Sequence, residues 1–147
     1  MKTKHDSTVK VKTNVKIWVY SGDKLIDYQE VHNAWQDAGL NVIRDWLSGD
    51  FSEDHITHIA WCEAGGTERA RDIVTQYVTT TPKTLLIRQY LPSNSTANGY
   101  TIQKIRAYNA ATSGTLFAEA NFTAGISKTS SIQITAEWTH TFADDGV

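Results

Sequence analysis

The chain has 147 residues, of which 40% are hydrophobic and 20% are charged, and this balance predicts one globular domain rather than a disordered segment. A formal net charge of −2 gives no overall attraction to nucleic acid, and no apolar run reaches the roughly 18 residues that a membrane span requires. We therefore expect neither nucleic acid nor a membrane as a partner. The basic N-terminus lacks a following apolar segment, so no secretory signal is expected. The single cysteine, Cys62, excludes an intrachain disulfide and is typical of a protein that folds in a reducing cytoplasm.

The first 31 residues predict a β-hairpin. From residue 8 to residue 20, the aliphatic residues fall on odd positions and the lysines on even ones, which predicts a strand with one buried face. Residues 21–24 form a turn, and residues 25–31 return as a second strand. The lysines leave two interpretations open. They line a solvated edge strand, or they belong to a basic arm, starting with residues 1–7, that contacts an acidic neighbour.

The next segment changes to helical spacing and predicts one amphipathic helix over residues 34–48. Asn33 is its predicted N-cap, and Gly49 follows its end. The apolar side of this helix carries Trp35, Gly39, Val42 and Trp46. A glycine on this side costs about 1 kcal/mol in helix stability relative to alanine. Because this cost needs a compensating reason, we expect Gly39 to allow close packing against a sheet.

The rest of the chain reads as short strands separated by turns. The predicted strands cover residues 56–62, 84–91, 100–108, 115–122 and 132–142. Residues 68–82 are ambiguous, since the first part fits a helical turn and the second part a strand. Regularly spaced short strands predict a mainly β fold, an antiparallel β-sandwich of jelly-roll or Ig-like type with one helix. Residues 1–147 form a single domain in this prediction.

The same periodicity predicts which side chains form the core. The residues expected to be buried are Val9, Val11, Val15, Ile17, Trp35, Val42, Trp46, Ile132, Ile134 and Trp138.

A search for catalytic or metal-binding residues gives weak candidates. His55, His58 and Cys62 are residue types that bind zinc, but positions 55 and 58 of a strand point to opposite faces. Cys62 follows an apolar run and is predicted to be structural rather than nucleophilic. No catalytic triad or phosphate-binding loop is recognisable. We therefore expect a protein that is not an enzyme and that carries no metal or cofactor.

Trp18 is the aromatic residue whose position stands out, because it shares the polar face of the first strand with the lysines. It either contacts a partner or a sugar, or it packs under the helix. The residues predicted to form an interface are Lys2, Lys4, Lys10, Lys12, Lys16, Trp18 and Tyr20.

Residues from about 30 to 142 resemble a group of small structural proteins of tailed bacteriophages, described as tail, collar or tail-fibre-associated proteins. The resemblance is carried by His32-Asn33-Ala34, Gly39-Leu40, Trp46-Leu47-Ser48-Gly49, Ile56 to Ala60, Asn98-Gly99-Tyr100-Thr101-Ile102, Ala107-Tyr108-Asn109-Ala110, Ser113 to Ala118, Asn121-Phe122, Ile126-Ser127-Lys128-Thr129 and Ile132 to Phe142. The chain departs from that pattern in the glycine-rich loop at 62–67 and in the stretch 103–106.

This resemblance implies a non-enzymatic virion subunit, made in the host cytoplasm, that docks on other virion proteins as a tail, collar or capsid-decorating protein. It also implies assembly in several copies or as a homo-oligomer. The alternative is a receptor- or carbohydrate-binding β-sandwich module.

Overall fold

The computed structural model describes residues 9–144, which form ten strands and one helix. In chain order these are β1 (Val9–Ser21), β2 (Lys24–Val31), β3 (Ala34–Trp35), α1 (Asp37–Leu47), β4 (His58–Cys62), β5 (Glu68–Ile73), β6 (Gln76–Val78), β7 (Thr84–Leu91), β8 (Thr101–Tyr108), β9 (Leu116–Ser127) and β10 (Ile132–Asp144).

The strands form two antiparallel sheets of five strands each. Sheet A has the order β2-β1-β10-β7-β6, and sheet B has the order β3-β9-β8-β4-β5. The apolar faces of the two sheets enclose one continuous core, and α1 packs on β9. The predicted antiparallel β-sandwich with one helix is therefore confirmed.

Alternation along the strands places the core between the sheets. In β1 the odd positions Val15, Ile17 and Val19 are buried, and the register with β10 places them opposite Trp138, Ala136 and Ile134. Each large aliphatic side chain buried in this way contributes about 1.5–3 kcal/mol relative to its exposed state.

The core prediction is confirmed at half of its positions. Val15, Ile17, Val42, Ile134 and Trp138 are buried. Trp35, Trp46 and Ile132 are half-buried and pack against the core. The prediction is wrong for Val9, which is 73% exposed, and Val11 is only partly buried.

The exposure of Val9 follows from the length of β1 and β10. The pairing of β1 with β2 starts at Val15, and the pairing of β10 with β7 ends at Thr141. Beyond these points β1 and β10 continue as a two-stranded ribbon. A ribbon at the end of a sandwich has little apolar surface to pack against, whatever its periodicity.

The helix is shorter than predicted at its N-terminal end. Ala34 and Trp35 form strand β3, which pairs with β9, and the helix begins at Asp37 instead of residue 34. Asn33 is not the N-cap, as this position is occupied by Gln36, whose side chain makes no capping hydrogen bond. The N–H of Gln36 donates to the carbonyl of Phe117 at 2.8 Å, so the sheet pairing continues up to the helix.

Gly39 packs directly on sheet B, as its position on the apolar face predicted. A Cβ atom at residue 39 would lie 2.6 Å from the Cα of Phe117 and 2.9 Å from its carbonyl oxygen. Both distances are shorter than van der Waals contact allows, so only glycine lets the helix approach β9 this closely.

The ambiguous segment 68–82 resolves into two strands. Residues 68–73 form β5 at the edge of sheet B, and residues 76–78 form β6 at the edge of sheet A. The helical-turn interpretation of 68–72 is therefore wrong, because pairing with β4 determines the conformation of this segment.

Candidate functional site

The outer face of sheet A carries the part of the predicted interface that the structure describes. Lys2 and Lys4 lie outside the described residues. The other five predicted residues lie at even positions of β1, on the side opposite the core. They are Lys10, Lys12 and Lys16, which are exposed, and Trp18 and Tyr20, which are half-buried.

Trp18 belongs to an aromatic pair on this outer face. Its cross-strand partner on β2 is Tyr28, and their ring centroids lie 5.5 Å apart at an interplanar angle of 49°. The helix packs on β9 in the other sheet, so of the two interpretations of Trp18 the surface position is the one observed. Tyr28 was missed from the sequence because its position opposite Trp18 depends on a bulge in the hairpin, between Val19 and Tyr20.

A carboxylate borders this aromatic pair. The Glu30 side chain accepts hydrogen bonds from the Asn14 amide and from the Tyr28 hydroxyl, each at 3.0 Å. These two hydrogen bonds are the main cause that lowers the pKa of Glu30, and a smaller contribution comes from the charge of Lys16. Glu30 is therefore ionised at neutral pH, and it presents a fixed negative charge beside Trp18.

Positive charge is unevenly distributed along β1. Lys16 lies between two acidic cross-strand neighbours, Glu30 on β2 and Glu137 on β10. Lys12 lies opposite Thr141 and beyond the end of β2. The basic character of β1 is thus concentrated toward its N-terminal end, whereas the surface around Trp18 has mixed charge.

The N-terminal part of β1 is also an edge of sheet A. β2 pairs only with residues 15–21 of β1, so among the described residues no strand pairs with positions 9–14 on that side. At the inner limit of this edge, the Thr13 hydroxyl donates to the carbonyl of Asn33 at 2.7 Å. An edge of this kind can accept another strand through its backbone N–H and C=O groups.

Cys62 is buried, as predicted, beneath a layer of charged side chains on the outer face of sheet B. Burial is the main cause that raises the pKa of its thiol to about 11, so the thiol stays protonated at neutral pH. Above it, Glu119 pairs with Lys104 at 3.2 Å and with Arg106 at 2.6 Å. The Glu119 carboxylate is thus engaged by two cations, which makes it a poor general base for the thiol.

The two histidines of the weak metal motif lie in different surroundings. His55 lies in a loop, with Nδ1 2.8 Å from the carboxylate of Asp54, whereas His58 is the first residue of β4. Within residues 9–144, no three histidine, cysteine or acidic side chains are close enough together to hold a metal ion.

Two buried polar residues were not predicted from the sequence. Lys128 is fully buried, and its ammonium group donates to the Ser93 carbonyl, the Asn98 side chain and the Thr129 carbonyl. Burial lowers the pKa of Lys128. His140 is buried on β10, and its Nδ1 accepts a hydrogen bond from Trp35 at 3.0 Å. No local pattern marks either residue, because most of their partners, which include Ser93, Asn98 and Trp35, come from distant parts of the chain.

An apolar cavity of about 420 Å³ lies where α1 covers one end of the sandwich. Its walls come from both sheets, the helix and the loop before β4. The lining residues are Trp35, Ile43, Trp46, His55, Ile56, Tyr77, Thr79, Leu85, Phe117 and Phe142. No pattern in the sequence predicts this cavity, because the segments that form it come together only in the folded chain.

No protein-family model, characterised protein or solved structure matches the chain. In the described part of the chain, no helix is long and apolar enough to cross a membrane.

Proposed function

We propose that this protein is a non-enzymatic structural subunit of a tailed-phage virion that docks on other virion proteins in several copies. The observation that carries this proposal is the N-terminal part of β1. It combines a sheet edge at positions 9–14 with a concentration of lysines, next to an aromatic pair on the same face. The resemblance of residues 30–142 to small tail and collar proteins supports the same function, and a β-sandwich suits a subunit that acts by contact.

Docking through this edge uses two kinds of interaction. The backbone of positions 9–12 provides the hydrogen-bonding groups for strand addition by a neighbouring chain, since the carbonyl of Thr13 already lies 3.3 Å from Nδ1 of His32. The lysines favour an acidic neighbour, and such charges mainly increase the rate of encounter and select the orientation. Because exposed charges are screened by salt, this contribution should weaken as ionic strength rises.

The non-enzymatic part of the proposal is supported by the state of the one cysteine. Its thiol is buried and protonated, so it is a poor nucleophile. We therefore infer that the protein acts through its surfaces and not through a reactive group.

Two variants test the docking proposal in assembled particles. One deletes residues 1–7, and the other replaces Lys10, Lys12 and Lys16 by glutamine. The lysine variant should fold, because its three changed side chains are exposed, and circular dichroism checks the folding of both variants. Both should enter particles several-fold less efficiently than the wild-type protein. The copy number per particle is measured by quantitative mass spectrometry at low and moderate salt.

A matched pair of single substitutions controls for the loss of charge. Lys12→Gln removes a charge from the proposed edge, and Lys24→Gln removes one from the turn at the other end of the hairpin. Only the first should reduce incorporation. If the deletion variant and the triple variant both enter particles as efficiently as the wild-type protein, the lysines only line a solvated edge strand.

A carbohydrate-binding function is the second candidate, favoured by the aromatic pair beside an ionised carboxylate. Aromatic rings on an exposed sheet face, with a hydrogen-bonding carboxylate at their border, provide the groups that bind a sugar ring. If this candidate is right, a glycan array will show binding that Trp18→Ala abolishes. Phe51→Ala, which removes an exposed aromatic residue outside sheet A, will leave that binding unchanged.

A further inference from the structure

The side chains that line the apolar cavity under α1 are buried at one end of the cavity and exposed at the other. Phe117 and Ile56 are buried and form the floor. His55, Tyr77 and Thr79 are exposed and form the mouth. The cavity is thus a pocket that opens to solvent on one side, at the end of the sandwich.

The aromatic residues of the pocket have their hydrogen-bonding groups engaged elsewhere. The indole N–H of Trp35 donates to His140 at 3.0 Å, and the indole N–H of Trp46 donates to the carbonyl of Glu53 at 2.9 Å. The hydroxyl of Tyr77 donates to the carbonyl of Ile56 at 2.6 Å. All three polar groups are bonded inside the protein, so these rings present only carbon to the pocket.

This arrangement determines the chemistry of a suitable ligand. A charged or strongly polar molecule would lose its hydration in the pocket without gaining hydrogen bonds, which costs several kcal/mol. An apolar ring has no hydrogen bonds with water to lose, and it gains contacts with the aromatic walls. The remaining polar groups, the imidazole of His55 and the hydroxyl of Thr79, are at the mouth, where they can contact one polar substituent.

The size of the pocket and the composition of the chain favour a small molecule over a terminal segment of the same chain. Pockets of about 300–1,000 Å³ typically hold small molecules, and this one is at the lower end of that range. The segments outside the described residues are unsuited to fill it. Residues 1–8 contain Met1 as their only large apolar side chain, and residues 145–147 contain only Val147.

We propose that this pocket binds a compact, uncharged aromatic molecule, with its ring packed against Trp35, Trp46 and Phe117 and any polar substituent at His55. This binding is distinct from docking through β1, because the docking edge is the side of β1 that faces away from β10, and the pocket is lined by no residue of β1. The two proposals can therefore fail independently.

The test uses N-phenyl-1-naphthylamine, an uncharged probe with a naphthyl and a phenyl group that fluoresces in apolar surroundings. Titration of the wild-type protein should give saturable binding of one probe per chain, with quenching of tryptophan fluorescence through Trp35 and Trp46. Leu85→Trp fills the pocket and should weaken binding at least tenfold. Leu86→Trp changes the neighbouring residue, which faces away from the pocket, and should bind like the wild-type protein.

A second cavity-filling variant, Ile43→Phe on α1, tests the same point if Leu85→Trp fails to fold, with circular dichroism as the check on folding. Equal binding by the wild-type protein and a folded cavity-filling variant would overturn the proposal, as would the absence of saturable binding. The exposed side chain of Phe51 offers one competing occupant, from a second copy of the chain. If light scattering shows a dimer that Phe51→Ser dissociates, and the probe binds only to that variant, the pocket is a self-association site and the proposal is wrong.

Discussion

Replacing His140 by glutamine should make the stability of the protein less sensitive to acid. The imidazole of His140 is buried on β10, stacked on Trp138 at 5.5 Å between ring centroids. Its Nδ1 accepts the hydrogen bond from Trp35, so the neutral ring carries its proton on Nε2, which has no partner among residues 9–144. A second proton on Nδ1 would break the bond to Trp35 and bury a charge among aromatic rings.

The magnitude follows from the pKa of this histidine. Burial is the cause that lowers the pKa of His140 from 6.5 to about 4. Above pH 6.5 the ring is neutral in both the folded and the unfolded chain, so it has no effect on stability. As the pH falls from 6.5 to 4, the unfolded chain takes up a proton that the folded chain does not, and stability is lost. The loss from this one residue is about 2 kcal/mol at pH 5 and about 3 kcal/mol at pH 4.

Urea unfolding followed by tryptophan fluorescence between pH 7 and pH 4 measures this effect. Other groups also titrate in this range, but they are common to both proteins and cancel in the difference between the wild-type protein and His140→Gln. The variant can be less stable at pH 7, since the substitution disturbs the core. Relative to the wild-type protein, its free energy of unfolding should rise by about 3 kcal/mol between pH 7 and pH 4. His32→Gln, which removes a histidine from the surface, controls for the substitution itself.

A constant difference between the two proteins from pH 7 to pH 4 would refute this reasoning. So would an NMR titration of the wild-type protein in which the ring of His140 becomes protonated above pH 6. Either result would mean that a buried acceptor or a water molecule satisfies Nε2 and stabilises the charged ring.

Four further predictions concern packing and chemistry. Gly39→Ala should destabilise the protein by about 1–3 kcal/mol in urea unfolding despite the better helix propensity of alanine, because the new methyl group meets the backbone of Phe117. Gly65→Ala, at a site with open space, should have little effect. Trp138→Ala should cost about 3–5 kcal/mol in the same assay, and a loss below about 1 kcal/mol would contradict its place in the core. The thiol of Cys62 should react with Ellman's reagent only after denaturation, since it is buried and its pKa is raised to about 11. Elemental analysis of the purified protein should find no stoichiometric zinc.

The elements predicted best from the sequence are those whose signal lies within a single segment. The alternation extends over most of β1 and β10, so their extents could be predicted closely, and so could their buried faces apart from the exposed N-terminal end of β1. The role of Gly39 was also predictable, because a glycine on the apolar side of a helix lowers helix stability and is kept where a neighbouring backbone lies too close for a Cβ atom.

The failures share one physical cause, which is that distant segments determine the local structure. Trp35 has helical spacing with the residues after it, but pairing with β9 makes it a strand residue. Its hydrogen bond to His140 joins residues 105 positions apart, so no local pattern predicts it. The apolar cavity depends in the same way on strands from both sheets and a helix that meet at one end of the sandwich.

The position of β10 in sheet A has a consequence for synthesis on the ribosome. β10 is the last described strand to be translated, yet it lies in the middle of its sheet, between β1 and β7. Until it emerges, sheet A consists only of the β1–β2 hairpin and the β6–β7 pair, each with an apolar face and an unsatisfied edge. Sheet A therefore closes in one late step, and a chain that terminates before β10 leaves two exposed edges that invite aggregation.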